Sequence, residues 1–71
     1  MARISKEQRM INSLVHNIVM AWDEYKAGYI NATAYNRIRN DNLTFASLYF
    51  DKYEYVREQF KKYTGYDCYP E

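Results

Sequence analysis

The sequence holds one Cys, one Pro, two Gly and one His, and no apolar run long enough to cross a bilayer. Each scarcity excludes something. Cys68 alone forms no internal disulfide and, with a single His, completes no tetrahedral zinc site, which points to a reducing compartment. With Gly28 and Gly65 as the only glycines, neither a phosphate-cradling loop nor a dinucleotide fingerprint can be built. Met1-Ala2-Arg3-Ile4-Ser5-Lys6-Glu7 carries charge where a signal peptide needs apolar residues, so the expected location is the cytoplasm, with no membrane contact. Ten Lys and Arg against nine Asp and Glu leave a net charge of +1, so no long-range field draws phosphates or acidic lipids. The Asn-x-Thr triplets at Asn31 and Asn42 read as helix starts rather than glycosylation sites, because Asn and Thr oxygens accept orphan amides there.

What the chain has in excess is aromatic side chains: nine Tyr, three Phe and one Trp in 71 residues. Tyr pairs an apolar ring with a hydroxyl that needs water or a partner, and such residues are enriched at contact surfaces. At this length a lone core supplies only about 3–5 kcal/mol, so small proteins add a staple or an associate. Disulfide and metal being excluded, association is the expected supplement.

The pattern predicts one all-α domain over 1–71: an antiparallel hairpin of two long helices with a short helix between them, over about 5–27, 32–39 and 44–64, and an aromatic tail over 65–71. Ser5-Lys6-Glu7-Gln8 fits a capping box, Ile11, Leu14, Val15, Ile18, Ala21, Trp22 and Tyr25 share one arc, and Gly28 is a left-handed stop. Asn31 caps the short helix, whose apolar face is Tyr35 and Ile38, with Ile30 and Tyr35 as a staple across the cap. Asn40-Asp41-Asn42 signals a turn. The last helix is expected to start at Thr44 with a Leu43–Leu48 staple, to bury Phe45, Tyr49, Tyr53, Val56, Phe60 and Tyr63, and to stop at Gly65, with Pro70 barring continuation. The first and third helices are expected to pack antiparallel, bridged at one end by the second.

Residues left over after this core is filled are candidates for contact. Met20 projects about 160° from the stripe of the first helix. Leu43 and Phe50 lie on one flank of the last helix, Leu48 and Tyr55 on the other. Met20, Leu48, Phe50, Tyr55, Tyr66 and Tyr69, with Arg57, are therefore the expected partner-binding residues, since buried Tyr and Arg carry much of an interface's energy. Their occupant would be another protein, or a second copy of the chain as a homodimer.

Catalytic chemistry finds little support. His16 falls on the polar face of the first helix with no nucleophile near it in the chain, and Cys68 beside Asp67 lacks the positive setting that activates a thiol. Asp51, Glu54 and Glu58 share a stripe, but Arg57, Lys61 and Lys62 relieve it and no Glu-x-x-His metal motif is present. No enzymatic activity, metal, cofactor or small-molecule substrate is expected. The competing function is nucleic-acid binding: Asn36, Arg37, Arg39 and Asn40 are the types that read bases and phosphates, beside a turn and a following helix, with further basic patches at Arg3-Lys6-Arg9 and Lys61-Lys62.

Ser47-Leu48-Tyr49-Phe50-Asp51 resembles the Ser-Gln-Glu-Leu-Asp motif of the short helical-hairpin phosphatases that act on aspartyl-phosphate of sporulation response regulators. It keeps the terminal Ser and Asp but replaces the polar pair between them, so the phosphatase activity lacks its residues. Richness in Asn, Tyr, Ile and Lys, small size and an aromatic surface also resemble the accessory proteins with which phages or mobile elements inhibit host machinery. By that analogy the chain is an inhibitor or accessory regulator.

Overall fold

The computed structural model describes residues 5–69. Arg3 of the first basic patch and the Pro70 stop lie outside them. The chain is a small all-α domain of three helices, α1 (Lys6–Ala27), α2 (Ala32–Phe45) and α3 (Tyr53–Thr64), with a π-helical turn over Ala46–Phe50 continuing α2.

In α1 the Ser5 hydroxyl accepts from the Gln8 N–H at 3.0 Å, as an N-cap should. The Gln8 side chain does not return the bond; it donates to Asn12 Oδ1 at 2.9 Å and to the Tyr55 hydroxyl at 3.2 Å, tying the start of α1 to α3. Ile11, Val15, Ile18, Ala21 and Trp22 form the buried stripe. Gly28 (φ 86°) closes the helix with a Schellman pair, Gly28 N–H to Tyr25 C=O and Tyr29 N–H to Glu24 C=O.

Asn31 caps α2, accepting from the Ala34 N–H at 2.8 Å. The turn expected at Asn40-Asp41-Asn42 is absent and α2 runs straight through it, because the two Asn side chains have other partners. Asn42 donates to the Ile38 carbonyl at 2.8 Å and accepts from Asn17 at 3.1 Å, while Asn40 accepts from Arg39. Thr44 is therefore mid-helix, Leu43 is buried and Leu48 exposed, and no Leu43–Leu48 staple forms. The inner face of α2 is Tyr35, Arg39, Leu43 and Ala46, spaced by four, four and three.

The chain breaks ten residues later than the Asn-rich triplet. Asp51 N–H bonds back to Ser47 C=O and Lys52 N–H to Ala46 C=O, each reaching one residue farther than the matching bond at Gly28. Asp51 takes the left-handed conformation, φ 54° and ψ 44°, and α3 starts after Lys52 without a side-chain cap. Only Val56 and Phe60 of the single stripe expected for the last helix are fully buried on α3. Phe45 and Tyr49 face outward, because the wide turn and the break shift the register between α2 and α3, and Tyr63, in the last turn of α3, is exposed as well.

Contacts give the topology. Trp22 and Tyr25 meet Tyr35 while Asn17 meets Asn42, so α2 runs antiparallel to α1. Gln8 meets Tyr55 while Trp22 meets Phe60, so α3 runs in the sense of α1. The antiparallel partner of α1 is thus α2 and not, as the sequence suggested, the last helix.

A left-handed non-glycine residue costs about 1–2 kcal/mol, less for Asp. Asp51→Gly should raise the unfolding free energy by roughly 0.5–1 kcal/mol and Asp51→Val should lower it by roughly 1–2 kcal/mol in urea titrations. Equal stability of the two variants would show that the turn is not held in this geometry.

Candidate interaction surfaces

The tail folds back onto the domain. After Gly65, whose N–H closes α3 on the Lys61 carbonyl at 2.7 Å, the chain drives Cys68 into the core. The Tyr35 hydroxyl donates to the Cys68 carbonyl at 2.7 Å, and Arg39 donates to the same oxygen at 3.4 Å. Arg57 pairs with Asp67 at 3.0 Å, and Tyr53 and Tyr69 share a hydroxyl hydrogen bond of 2.9 Å.

Arg39 is the one charged side chain in the buried set, 8% exposed. Its guanidinium donates to Asn36 Oδ1 at 2.8 Å and to Asn40 Oδ1 at 3.0 and 3.2 Å, and lies 4.2 Å from the Tyr69 ring centroid. Among the described residues it has no carboxylate partner; amide oxygens and a desolvated cation–π contact take that place. The nucleic-acid reading of Asn36, Arg37, Arg39 and Asn40 is corrected accordingly. Arg39 is withdrawn from the surface, Asn36 and Asn40 spend their oxygens on it, and Arg37 alone of the four is exposed with no bond of this kind.

The seven residues singled out for partner binding do not form one patch. Tyr55, Arg57 and Tyr69 are half-buried fasteners: Tyr55 takes the Gln8 bond, and Arg57 lies 4.9 Å from the Tyr69 ring centroid. Phe50 is half-buried against the core. Met20 rims a shallow groove between α1 and α2 beside Ile38. Tyr66 is exposed, its ring 5.6 Å from Trp22 and within reach of the Lys26 ammonium. Leu48 stands out on the π-turn, 76% exposed.

Beside Leu48 are two residues that the periodicity had assigned to the core. Tyr49 is 69% exposed and Phe45 36%, with ring centroids 4.4 Å apart, and Phe50 packs 5.9 Å from Phe45. Together they make an aromatic corner where α2 gives way to the break. The available signal was the wealth of aromatics between Phe45 and Tyr55, more than one helix face can bury.

A second concavity, about 470 Å³, lies between α1 and α3. Val15 and Val19 are its floor, Arg9 and His16 stand along α1, and Gln59 and Tyr63 form the opposite wall. The sequence had assigned its residues to different places: His16 to the polar face of the first helix, Arg9 to a basic patch, and Val15 and Tyr63 to the core. No known protein family, curated protein or solved structure matches this chain. The surfaces must be interpreted from their own chemistry. Among the described residues, no three metal-ligating side chains gather and no helix is long and apolar enough to cross a membrane.

Titration of the tail follows from its seat. The Tyr69 N–H, donating to Asp67 Oδ1 at 3.0 Å, holds that carboxyl below its ordinary 3.8 with help from Arg57 and against partial desolvation. Burial raises the Cys68 thiol and the Tyr35 phenol, and burial with the Tyr53 bond pushes Tyr69 up to about 12. A lowered acid stabilises the fold above its unfolded value, and that stability is lost as pH falls through the folded value. Raised phenols stabilise below their ordinary 10.0, and that is lost as pH rises toward 12. The melting temperature should fall below about pH 4 and above about pH 10, and Asp67→Asn should flatten the acid limb. An unchanged acid limb in that variant would disprove the Asp67 assignment.

The buried seat also makes Cys68 a reporter. The native thiol should react with Ellman's reagent only on unfolding. Tyr35→Phe, which removes one of two donors to the Cys68 carbonyl, should cost about 1–2 kcal/mol and speed the reaction. Rapid labelling of the native protein would mean that the tail is not seated.

Proposed function

We propose that this chain is a non-enzymatic protein-binding module, an inhibitor or accessory regulator, that occupies a partner's surface with the corner formed by Phe45, Leu48 and Tyr49. The observation that carries the reading is three large apolar side chains exposed side by side on one short stretch of backbone. Scattered exposed apolar residues are ordinary, whereas a contiguous group on one element is what contact surfaces are made of. The Phe45 and Tyr49 rings already touch on a hydrogen-bonded turn, so less conformational freedom remains to be lost on docking. Leu43 and Ala46 fill the inner face of the same element, so the outward residues have no place in the core.

The buried free thiol is compatible with a reducing cytoplasm, where we place the protein. Nucleic-acid recognition is the weaker reading because Arg39 is committed internally. Self-association through the same corner is the second reading, since one exposed apolar patch can close on its own copy about a two-fold axis.

Leu48→Asp and Tyr49→Ala should leave stability within about 0.5 kcal/mol, both being exposed. Retention of the partner from the native cell should fall at least about tenfold with either, and added salt should matter little, whereas nucleic acid would be released by it. A dimeric mass abolished by Leu48→Asp would identify the partner as a second copy. Unchanged capture and unchanged mass in both variants would refute the corner as the binding site.

A further inference from the structure

We infer that the partner of the aromatic corner is a second copy of this chain, docked about a two-fold axis so that Tyr49 of each copy enters a hollow on the other. The inference rests on the corner being a binding site and names its occupant.

A hollow of about 260 Å³ adjoins the corner. Buried Leu43 is its floor, and the half-buried Tyr53 and Tyr69 rings, joined through their hydroxyls, form its far wall. Thr44 and Ser47 bring hydroxyls to its edge. At that size, below the roughly 300–1,000 Å³ of small-molecule sites, it takes a single side chain. Exposed Leu48 lines its near side, whereas Phe45 and Tyr49 do not line it. Thr44 with Leu48 and Phe45 with Tyr49 are pairs four residues apart, which sets them in neighbouring rows of one helical surface. Leu48 is therefore a ridge. On one flank lies the concavity, and on the other projects the Tyr49 ring, 69% exposed and steadied by Phe45 at 4.4 Å.

That order selects the occupant. A two-fold axis lying along a ridge places each flank of one copy against the opposite flank of the other. A surface with a knob and a hole on opposite sides of a ridge is thus complementary to itself: Tyr49 meets the hollow twice, and Leu48 meets Leu48 on the axis. An unrelated partner would have to reproduce both features in the same order, which a second copy already carries. Charge raises no objection. Residues near a two-fold axis approach their own equivalents, so a charge there would meet its like at a cost. No residue of the corner or lining the hollow is charged. Tyr49 also suits the hollow chemically, with its ring against Leu43 and the far wall and its hydroxyl at the Thr44 and Ser47 edge. The contact holds fewer residues a side than the roughly 20–30 of a standard interface, so the dimer is a reversible one.

The test uses the full chain. Sedimentation equilibrium from micromolar to millimolar concentration should show the mean mass rising from 8.6 kDa toward twice that value. Tyr49→Glu, which carries a charge into an apolar hollow, and Thr44→Lys, which places one at its edge, should each weaken the dimer at least about tenfold. Both positions are exposed, so the melting temperature should stay where it is. An equimolar mixture of the two variants should dimerise again, because one hollow then holds the introduced carboxylate against the introduced ammonium while the other keeps its native tyrosine. Unspecific apolar adhesion gives no such rescue. The inference is overturned if the wild-type chain stays at 8.6 kDa at millimolar concentration, if either variant dimerises as the wild type does, or if the mixture remains monomeric. A wild-type chain that stays monomeric yet captures a cellular protein, and loses it on Leu48→Asp, would reject the second copy and leave the corner standing. Unchanged capture and unchanged mass would remove both.

Discussion

Trp22 is where the three helices and the tail meet. Its ring centroid lies 5.6 Å from Tyr35 of α2, 5.9 Å from Phe60 of α3 and 5.6 Å from Tyr66 of the tail, with Tyr25 of its own helix at 5.9 Å. Tyr35 and Phe60 meet it edge-on, the arrangement in which the positive edge of one ring faces the negative face of another. Such contacts add about 0.5–1.5 kcal/mol each beyond the area they bury, which matters in a domain with so few buried residues. Ala21 beside Trp22 keeps the stripe of α1 narrow enough for both neighbours to approach. The aromatic excess is therefore partly structural: five of the thirteen rings form this cluster, and the surface receives what it cannot hold.

The tail supplies what a cross-link would in many domains of this size. Cys68 fills the core as a small apolar group, and its carbonyl is the shared acceptor of Tyr35 and Arg39. A buried cation with neutral partners is costly unless its donors are satisfied, and here Asn36, Asn40 and the tail carbonyl satisfy them together. The guanidinium is thus tied to the correct seating of a segment 29 residues away in the chain.

How far the residues announced this structure depends on whether the signal was local. Both ends of α1 were legible because Ser5 and Gly28 act on backbone groups within one turn of themselves. The α-helical class and the end of α3 at Gly65 were legible for the same reason. The Asn40-Asp41-Asn42 triplet misled because the partner of Asn42 is Asn17, 25 residues away. The true break carries neither Gly nor Pro, and a left-handed Asp looks like any surface Asp. Arg39 was taken for a surface reader because its stripe position was judged by charge, although spacing from Tyr35 and Leu43 put it inside. Of the candidate surface, Leu48 was legible as a residue without a core position, while Phe45 and Tyr49 were hidden by a stripe extrapolated across the break. The groove was invisible because its two walls come from helices whose relative sense the sequence does not state.

The widened turn at Ala46–Phe50 has a mechanical consequence. It holds one residue more than an ordinary helical turn and closes on left-handed Asp51, from which α3 sets off afresh. Removing one residue from it would rotate the exit of the chain by about 100°. Val56 and Phe60 would then no longer point at the core, so the length of the turn is held by the packing on both sides of it.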